Sequence, residues 1–354
     1  MTRTGLLIFD VAHRTEPRAS IRTARGTLTP SNEVAERTAR IRAGILRATG
    51  ARAYSAGVPP EATRRLRSLL PLAHDPAYLA FLEHGPHPAE AAITPQGRIF
   101  AAPGVEQDTP VGADSADRAL ASAATAVAAA VALARGEADH VYALCRPPGH
   151  HAGRRFFGGY CFLNNAALAA LALRRQSGAR VAVIDIDYHA GNGTTDCLAA
   201  HPDIAVLSCH ASGEDTFPHQ DDPLPAHPAH VFHAFGEPPD AQAYLAVVSR
   251  LVGEAVAGGA ETLVLSLGYD VIDGDPHGGW RLSPDVFAGV GEILRVSGLP
   301  VCVVQEGGYL LSALEGCAAQ FTKGLIGPPA DAAPDTRESG TDDGRHAKPA
   351  GALS

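Results

Sequence analysis

The sequence predicts an α/β fold of three layers, a central and mostly parallel β-sheet between two layers of helices. Three observations carry this. Apolar runs of strand length alternate with helical patterns from about Ser115 onward, the pattern of βα units. The run Val181 to Asp185 is continuously apolar up to its closing carboxylate, as expected of a parallel strand buried on both faces. Four such runs lead into reactive residues, and ligands of an open α/β sheet bind beyond the carboxyl ends of its strands.

Taken in order, Gly5 to Phe9 reads as the first strand, followed by a polar loop carrying Arg14, Arg18, Arg22 and Arg25. Ser31 or Asn32 offers an N-cap for a helix with Val34, Ile41 and Ile45 on one face, ending near Gly50. Asp75-Pro76 gives a second start signal, with proline at the first helical position, for a short helix through Tyr78, Leu79 and Leu82. The alternation then runs helix to Arg135, strand Val141 to Cys145, helix Asn165 to Arg175, strand Val181 to Asp185 and strand Ile204 to Ser208. It continues with helix Ala241 to Val256, strand Thr262 to Leu267, helix Pro284 to Val296 and strand Val301 to Val304. After about Gly327 the composition turns to Pro, Ala, Asp, Gly, Thr and Arg. One domain over 1–327 and a disordered tail over 328–354 are expected.

The 354 residues are 45% hydrophobic and 19% charged, ordinary for a soluble globular protein. A net charge of -9 argues against a general nucleic-acid binder and suits a small or cationic substrate. The six cysteines include no Cys-x-x-Cys pair and read as reduced core residues of a cytoplasmic protein. The apolar stretch at the N-terminus is too short for a signal peptide. Ala119 to Ala134 falls short of the roughly 20 apolar residues a membrane span needs, so it is expected to be a buried helix.

The reactive residues converge. Val181 to Asp185 leads into Asp187 and His189, two apart and so on one face of an extended chain. Thr262 to Leu267 leads into Asp270, preferred over Asp273 and Asp275 because it lies closest to the strand end. Two carboxylates and an imidazole suit zinc, with Fe(II) or Co(II) as substitutes, and leave room for water and substrate. Val141 to Cys145 leads into His150-His151, suited to general acid/base work. Val301 to Val304 leads into Tyr309 on a Gly-Gly turn, placed to donate a hydrogen bond to a developing oxyanion. Each feature alone is commonly a solvated loop or a cap; their meeting at one sheet edge is what points to a metal site.

Arg146-Pro-Pro-Gly-His-His-Ala152, Gly158-Gly-Tyr-Cys-Phe-Leu-Asn-Asn165, Asp185-Ile-Asp-Tyr-His189, Ser266-Leu-Gly-Tyr-Asp270 with Asp275-Pro276, and Glu306-Gly-Gly-Tyr309 resemble the signature set of the histone deacetylase superfamily. The resemblance runs from Gly5 to about Gly327 and is nearest to the bacterial acetylpolyamine amidohydrolases. It implies the arginase-deacetylase fold and zinc-dependent hydrolysis of an N-acetyl or short N-acyl amide. Asp187, His189 and Asp270 match its zinc ligands, His150 and His151 its proton-transfer pair, and Tyr309 its oxyanion donor. Asp185 matches a residue that orients His150 and helps hold a structural potassium ion, with Ser208 supplying another oxygen. Asn192 stands where a group orients His151. Tyr160 and Phe217 match the aromatic tunnel walls, Gly159 the carbonyl that receives the substrate amide, and Asp108 a rim acid.

The chain departs from the pattern at three places. Pro218 to His233 replaces a glycine-rich loop and carries His219, His227, His230 and His233, read as a solvated loop. Gly97 to Asp108 is shorter than the dimer-forming insertion of the acetylpolyamine branch, so that branch's restricted, polyamine-selecting channel is less strongly implied; a homo-oligomer stays open. The arginines of the first loop are placed to meet an acidic substrate group, or stand solvated. The expected activity is deacetylation of a small N-acetylated amine, an acetylpolyamine first, with no nucleic-acid or membrane partner. An acetyl-lysine peptide is the alternative substrate, since the shortened loops permit an open rim. A non-catalytic acyl-group binder would not need the intact ligands and histidines. A two-manganese ureohydrolase would need bridging carboxylates that His189-Ala-Gly-Asn192 lacks.

Overall fold

The computed structural model describes residues 4–10, 20–22, 28–50, 53–84, 109, 114–213, 216–218 and 229–327. In chain order these form β1 (Thr4–Asp10), β2 (Ser20–Arg22), β3 (Leu28–Pro30), α1 (Glu36–Thr49), β4 (Ala53–Ala56), α2 (Pro60–Ala73), α3 (Pro76–His84) and α4 (Ser115–Ala134). They continue with β5 (Ala138–Leu144), α5 (Asn165–Ser177), β6 (Val181–Asp185), α6 (Asn192–Leu198), β7 (Ile204–Ala211) and β8 (His230–Phe235). Last come α7 (Ala241–Ala257), β9 (Thr262–Leu267), α8 (Val286–Val296), β10 (Val301–Gln305) and α9 (Leu311–Ile326).

Eight strands make one sheet in the order β4-β1-β5-β10-β9-β6-β7-β8, and every pairing in it is parallel. β2 and β3 form a separate antiparallel pair. The chain leaves β5, builds the far half of the sheet from β6 to β8, and returns to fill the gap with β9 and β10. The four strands that lead into reactive residues therefore lie side by side. Alternation sorts their side chains between two cores: Val141, Val183, Val264 and Cys302 face one helical layer, and Tyr142, Ile184, Leu265 and Val303 the other. This is the three-layer α/β/α architecture read from the sequence.

The alanine run forms α4, which packs against α5 in the first layer. By length and composition α4 is apolar enough to cross a membrane, yet 78% of its most apolar window is buried inside the protein. It is a core helix, and its small side chains allow close approach to α5.

Two expectations are corrected. The N-cap of α1 is Ala35, without a side-chain cap, rather than Ser31 or Asn32. The preceding residues serve other contacts: Ser31 Oγ accepts from Glu33 N–H at 3.3 Å, Asn32 Nδ2 donates to His277 Nε2 at 3.0 Å, and Glu33 is carried into the interior. His230 and His233, read as loop, lie in β8, which pairs with β7 and covers its edge. Because β8 is itself an edge strand and only half-buried, histidines are tolerated there. β4, α2, α6 and α9 were also not anticipated. Asp108, the segment 97–108, Arg14, Arg18, Arg25, His219, His227 and the tail 328–354 lie outside the described residues.

Candidate active site

Asp187, His189 and Asp270 meet beyond the ends of β6 and β9, each offering a ligand atom within 4.8 Å of the others. His189 Nδ1 lies 3.1 Å from Asp187 Oδ1 and 3.2 Å from Asp270 Oδ2. Backbone donors fix this: the His189 N–H donates to Asp187 Oδ1 at 2.9 Å, the Gly307 N–H to Asp187 Oδ2 at 2.9 Å, and the Tyr188 N–H to Asp270 Oδ1 at 3.2 Å. Gly307 is required by closeness, because a Cβ there would press on both carboxylates. Asp270 Oδ2 is buried and accepts no hydrogen bond among the described residues. Burial and the nearby Asp187 raise Asp270 to about 6. Burial opposes the charge of Asp187 too, but His150 and His189 outweigh it and hold Asp187 below the usual carboxylate range. Two buried carboxylates crowded on one imidazole, with an orphaned oxygen aimed between them, fit a divalent cation.

The histidine pair stands beside this cluster with ring centroids 3.9 Å apart. His150 Nδ1 is 3.1 Å from Asp185 Oδ2, and His150 Nε2 is 3.6 Å from Asp187 Oδ1. Burial disfavours the His150 cation, but Asp187 and Asp185 prevail and raise it to about 10. His151 Nδ1 is 2.9 Å from Asn192 Oδ1, an acceptor, so the ring carries its proton on Nδ1. Burial, together with His150 and His189, keeps His151 neutral far below its ordinary value. Two adjacent histidines are thus held in opposite charge states. The loop that carries them is clamped from behind: Ser122 Oγ donates to Pro147 O at 2.7 Å, Asn165 Nδ2 to the same carbonyl at 3.1 Å, and Asn164 Nδ2 to Ala152 O at 3.0 Å.

A cavity of about 360 Å³ opens onto these groups, lined by His150, His151, Asp187, His189, Asp270 and Tyr309, with Gly159, Tyr160, Phe217 and His277 among its walls. Phe217 meets His151 edge-on at 4.5 Å. Gly159 has φ +51° and lies so near His151 that a Cβ would strike the ring. Tyr160 is held at φ 68°, unusual for a non-glycine residue, by its N–H donating to Thr109 Oγ1 at 2.8 Å. Tyr309 is buried, which pushes its phenol well above the usual value and keeps it a donor. Asp185 and Ser208 are register partners across β6 and β7, and Ser208 Oγ lies 2.8 Å from His210 Nδ1.

Several residues of the site were not anticipated. Arg37 of α1 is fully buried; its Nε donates to Gly308 O at 2.6 Å, its Nη2 to Glu306 O at 2.7 Å, and its guanidinium stacks 4.4 Å from the Tyr309 ring. Glu33 lies between Arg37 at 3.5 Å and Arg146 at 2.8 Å. Asp275 Oδ2 accepts the N–H groups of Tyr309 at 2.7 Å and Leu310 at 3.0 Å. His277 sets its ring 4.6 Å from Tyr309, and its Nε2 lies 3.3 Å from the Tyr160 hydroxyl. A signal for Arg37 existed: it shares the i, i+4, i+8 stripe of Ile41 and Ile45, a charge on the buried face.

Comparison with known proteins bears on the chain as a whole. Residues 31–325 match the histone deacetylase domain family. The chain is 34% identical over 333 residues to an acetylpolyamine amidohydrolase of Burkholderia pseudomallei, covering 85% of this chain and 93% of that one. It is 33% identical over 238 residues to the acetylpolyamine amidohydrolase of Mycoplana ramosa, covering 62% of this chain and 66% of that one. A crystal structure of acetylpolyamine aminohydrolase from Burkholderia pseudomallei superposes with a TM-score of 0.78 at 32% identity, over 91% of this chain and 98% of that chain.

Proposed function

The chain belongs to the histone deacetylase domain family, and from that premise we propose that it hydrolyses the acetyl amide of a small N-acetylated amine, an acetylpolyamine first. The observation that carries the reading is the orphaned Asp270 Oδ2, aimed at Asp187 and His189 in the same cavity as His150, His151 and Tyr309. Asp187, His189 and Asp270 would hold zinc, or Fe(II) or Co(II) in its place, which supplies Lewis-acid polarisation of the attacking water and the scissile carbonyl. Asp185 and Ser208 would contribute oxygens to a structural potassium ion.

His151, neutral and with Nδ1–H directed at Asn192, keeps Nε2 free to take a proton from the attacking water. His150, fixed by Asp185, holds positive charge next to the reacting centre, and the pair returns a proton to the leaving amine. The phenol of Tyr309 donates a hydrogen bond to the oxygen on which negative charge develops. Tyr160 and Phe217 flank the acyl-amine chain, and the Gly159 carbonyl accepts its amide N–H. Among the described residues no disulfide joins the six buried cysteines, which suits a cytoplasmic location.

The test is steady-state turnover by zinc-loaded protein of acetylputrescine, acetylspermidine and an acetyl-lysine peptide. A preference of about tenfold for the polyamines, equivalent to about 1.4 kcal/mol in transition-state binding, supports the reading. Preference for the peptide replaces it with protein deacetylation.

A further inference from the structure

Beside the histidine pair a second set of donors meets. A ring nitrogen of His150, the Cys161 Sγ and a Glu306 carboxylate oxygen lie within 4.8 Å of one another, and all three side chains are buried. They come from the loop after β5, from the short bridge between Gly158 and Cys161, and from the residue that follows β10. Glu306 Oε2 accepts the N–H groups of Gly149 at 2.6 Å and His150 at 3.1 Å, and Oε1 accepts from the Ser266 hydroxyl at 3.3 Å. A carboxylate offers about four lone-pair sites, so one is left over. Among the described residues no lysine or arginine side chain pairs with this carboxylate; Arg37 reaches only its backbone carbonyl. Burial accordingly pushes Glu306 up to about 7, although His150 and the Gly149 N–H pull the other way.

We propose that His150, Cys161 and Glu306 form a second, inhibitory site for a thiophilic divalent cation such as zinc. One sulfur, one imidazole nitrogen and one carboxylate oxygen make a zinc donor set, whereas magnesium and calcium favour oxygen alone. Binding forms metal–sulfur, metal–nitrogen and metal–oxygen bonds and releases to solvent the thiol proton of Cys161 and the proton of the ligating His150 nitrogen, with no change of oxidation state. Of the three, His150 lines the cavity. His150 Nδ1 faces Asp185 and Nε2 faces Asp187. Ligation through either atom takes the ring out of its present pairing, so occupation stops turnover without emptying Asp187, His189 and Asp270. Binding stands independently of the proposed activity; only the inhibition rests on it.

The experiment is titration of the metal-free full chain with Cd²⁺, following the thiolate-to-cadmium charge-transfer band in the ultraviolet. Asp187, His189 and Asp270 contain no sulfur, so their loading is silent. The band is expected with the second equivalent in the wild type and with the first in Asp187→Ala. It is expected to vanish in Cys161→Ala, to persist in Cys197→Ala and, in wild type first loaded with one equivalent of zinc, to grow as turnover falls tenfold or more. Absence of the band, or an undiminished band in Cys161→Ala, overturns the site; a band without loss of turnover overturns its inhibitory role. If Cys161→Ala does not fold, X-ray absorption of wild type with two equivalents of zinc decides. One sulfur shared over two zinc ions supports the proposal, and none overturns it.

Discussion

Two walls of one cavity are built by opposite means. The Asp187–His189–Asp270 wall carries its ligands on strand ends and steadies their carboxylates with backbone N–H groups, from His189 two residues away and from Gly307 across the fold. The Glu306–Tyr309 wall is held from far along the chain, by Arg37 at 271 residues' separation from Gly308 and by Asp275 at 34 residues from Tyr309. The difference teaches where each wall is vulnerable. The first fails when a ligand is lost. The second fails when a buried cation that never touches substrate is lost.

The largest expected effect lies on the first wall. Asp187→Ala is expected to bind one zinc equivalent fewer than the wild type and bring turnover to background, measured by metal content and steady-state kinetics. Its unfolding temperature in the metal-free state should drop as well, because the His189 and Gly307 N–H groups lose their acceptor and His150 a neighbouring anion. Zinc should then raise the unfolding temperature of the wild type more than that of the variant, which keeps only the second proposed site. A variant that binds as many zinc equivalents as the wild type would break the assignment of this wall.

Next, Tyr309→Phe tests what the second wall delivers. The ring and its stacking with Arg37 are kept, and only the hydroxyl is lost. kcat should fall about 10²- to 10³-fold, the usual cost of removing one oxyanion donor, while metal content stays unchanged. Arg37→Met then tests how that wall is held. It strands the carbonyls of Glu306 and Gly308 and takes one cation from Glu33. A loss of about 3 to 5 kcal/mol in denaturant unfolding is expected, and kcat should fall by roughly 10²-fold or less through misplacement of Tyr309. An unchanged kcat would mean that Asp275 alone positions the tyrosine, and the contrast between the walls would collapse.

The same contrast explains what was legible. β6 is predicted to the residue because a continuous apolar run bounded by a carboxylate has one reading in a parallel sheet. Asp187, His189 and Asp270 follow from their distance to strand ends. Arg37 and Glu33 act across the fold, and only their place on or just before an apolar stripe marks them. β8 was not legible because edge pairing, not its own pattern, makes it a strand. α2 carries Pro71 in its last turn, where the sequence alone argues for a break.

The smallest effect separates a structural histidine from the two proposed to be catalytic. His74 is fully buried; its Nδ1 lies 2.8 Å from Gly153 O, to which it must donate, and its Nε2 accepts the Asn164 N–H at 3.0 Å. A second proton on the ring would leave that N–H facing another donor. Burial accordingly lowers its pKa to about 4 from the ordinary 6.5. The unfolded chain therefore takes up the proton first as pH falls, and proton uptake favours unfolding. The stabilisation is complete above pH 6.5 and is lost between 6.5 and about 4, by about 3 kcal/mol at the limit. His74→Gln should be less stable at neutral pH yet lack that part of the slope, so the wild-type minus variant difference in unfolding free energy should shrink as pH falls through this window. A difference independent of pH would show that His74 contributes packing alone. The loop bearing His150 and His151 would then owe nothing to its protonation.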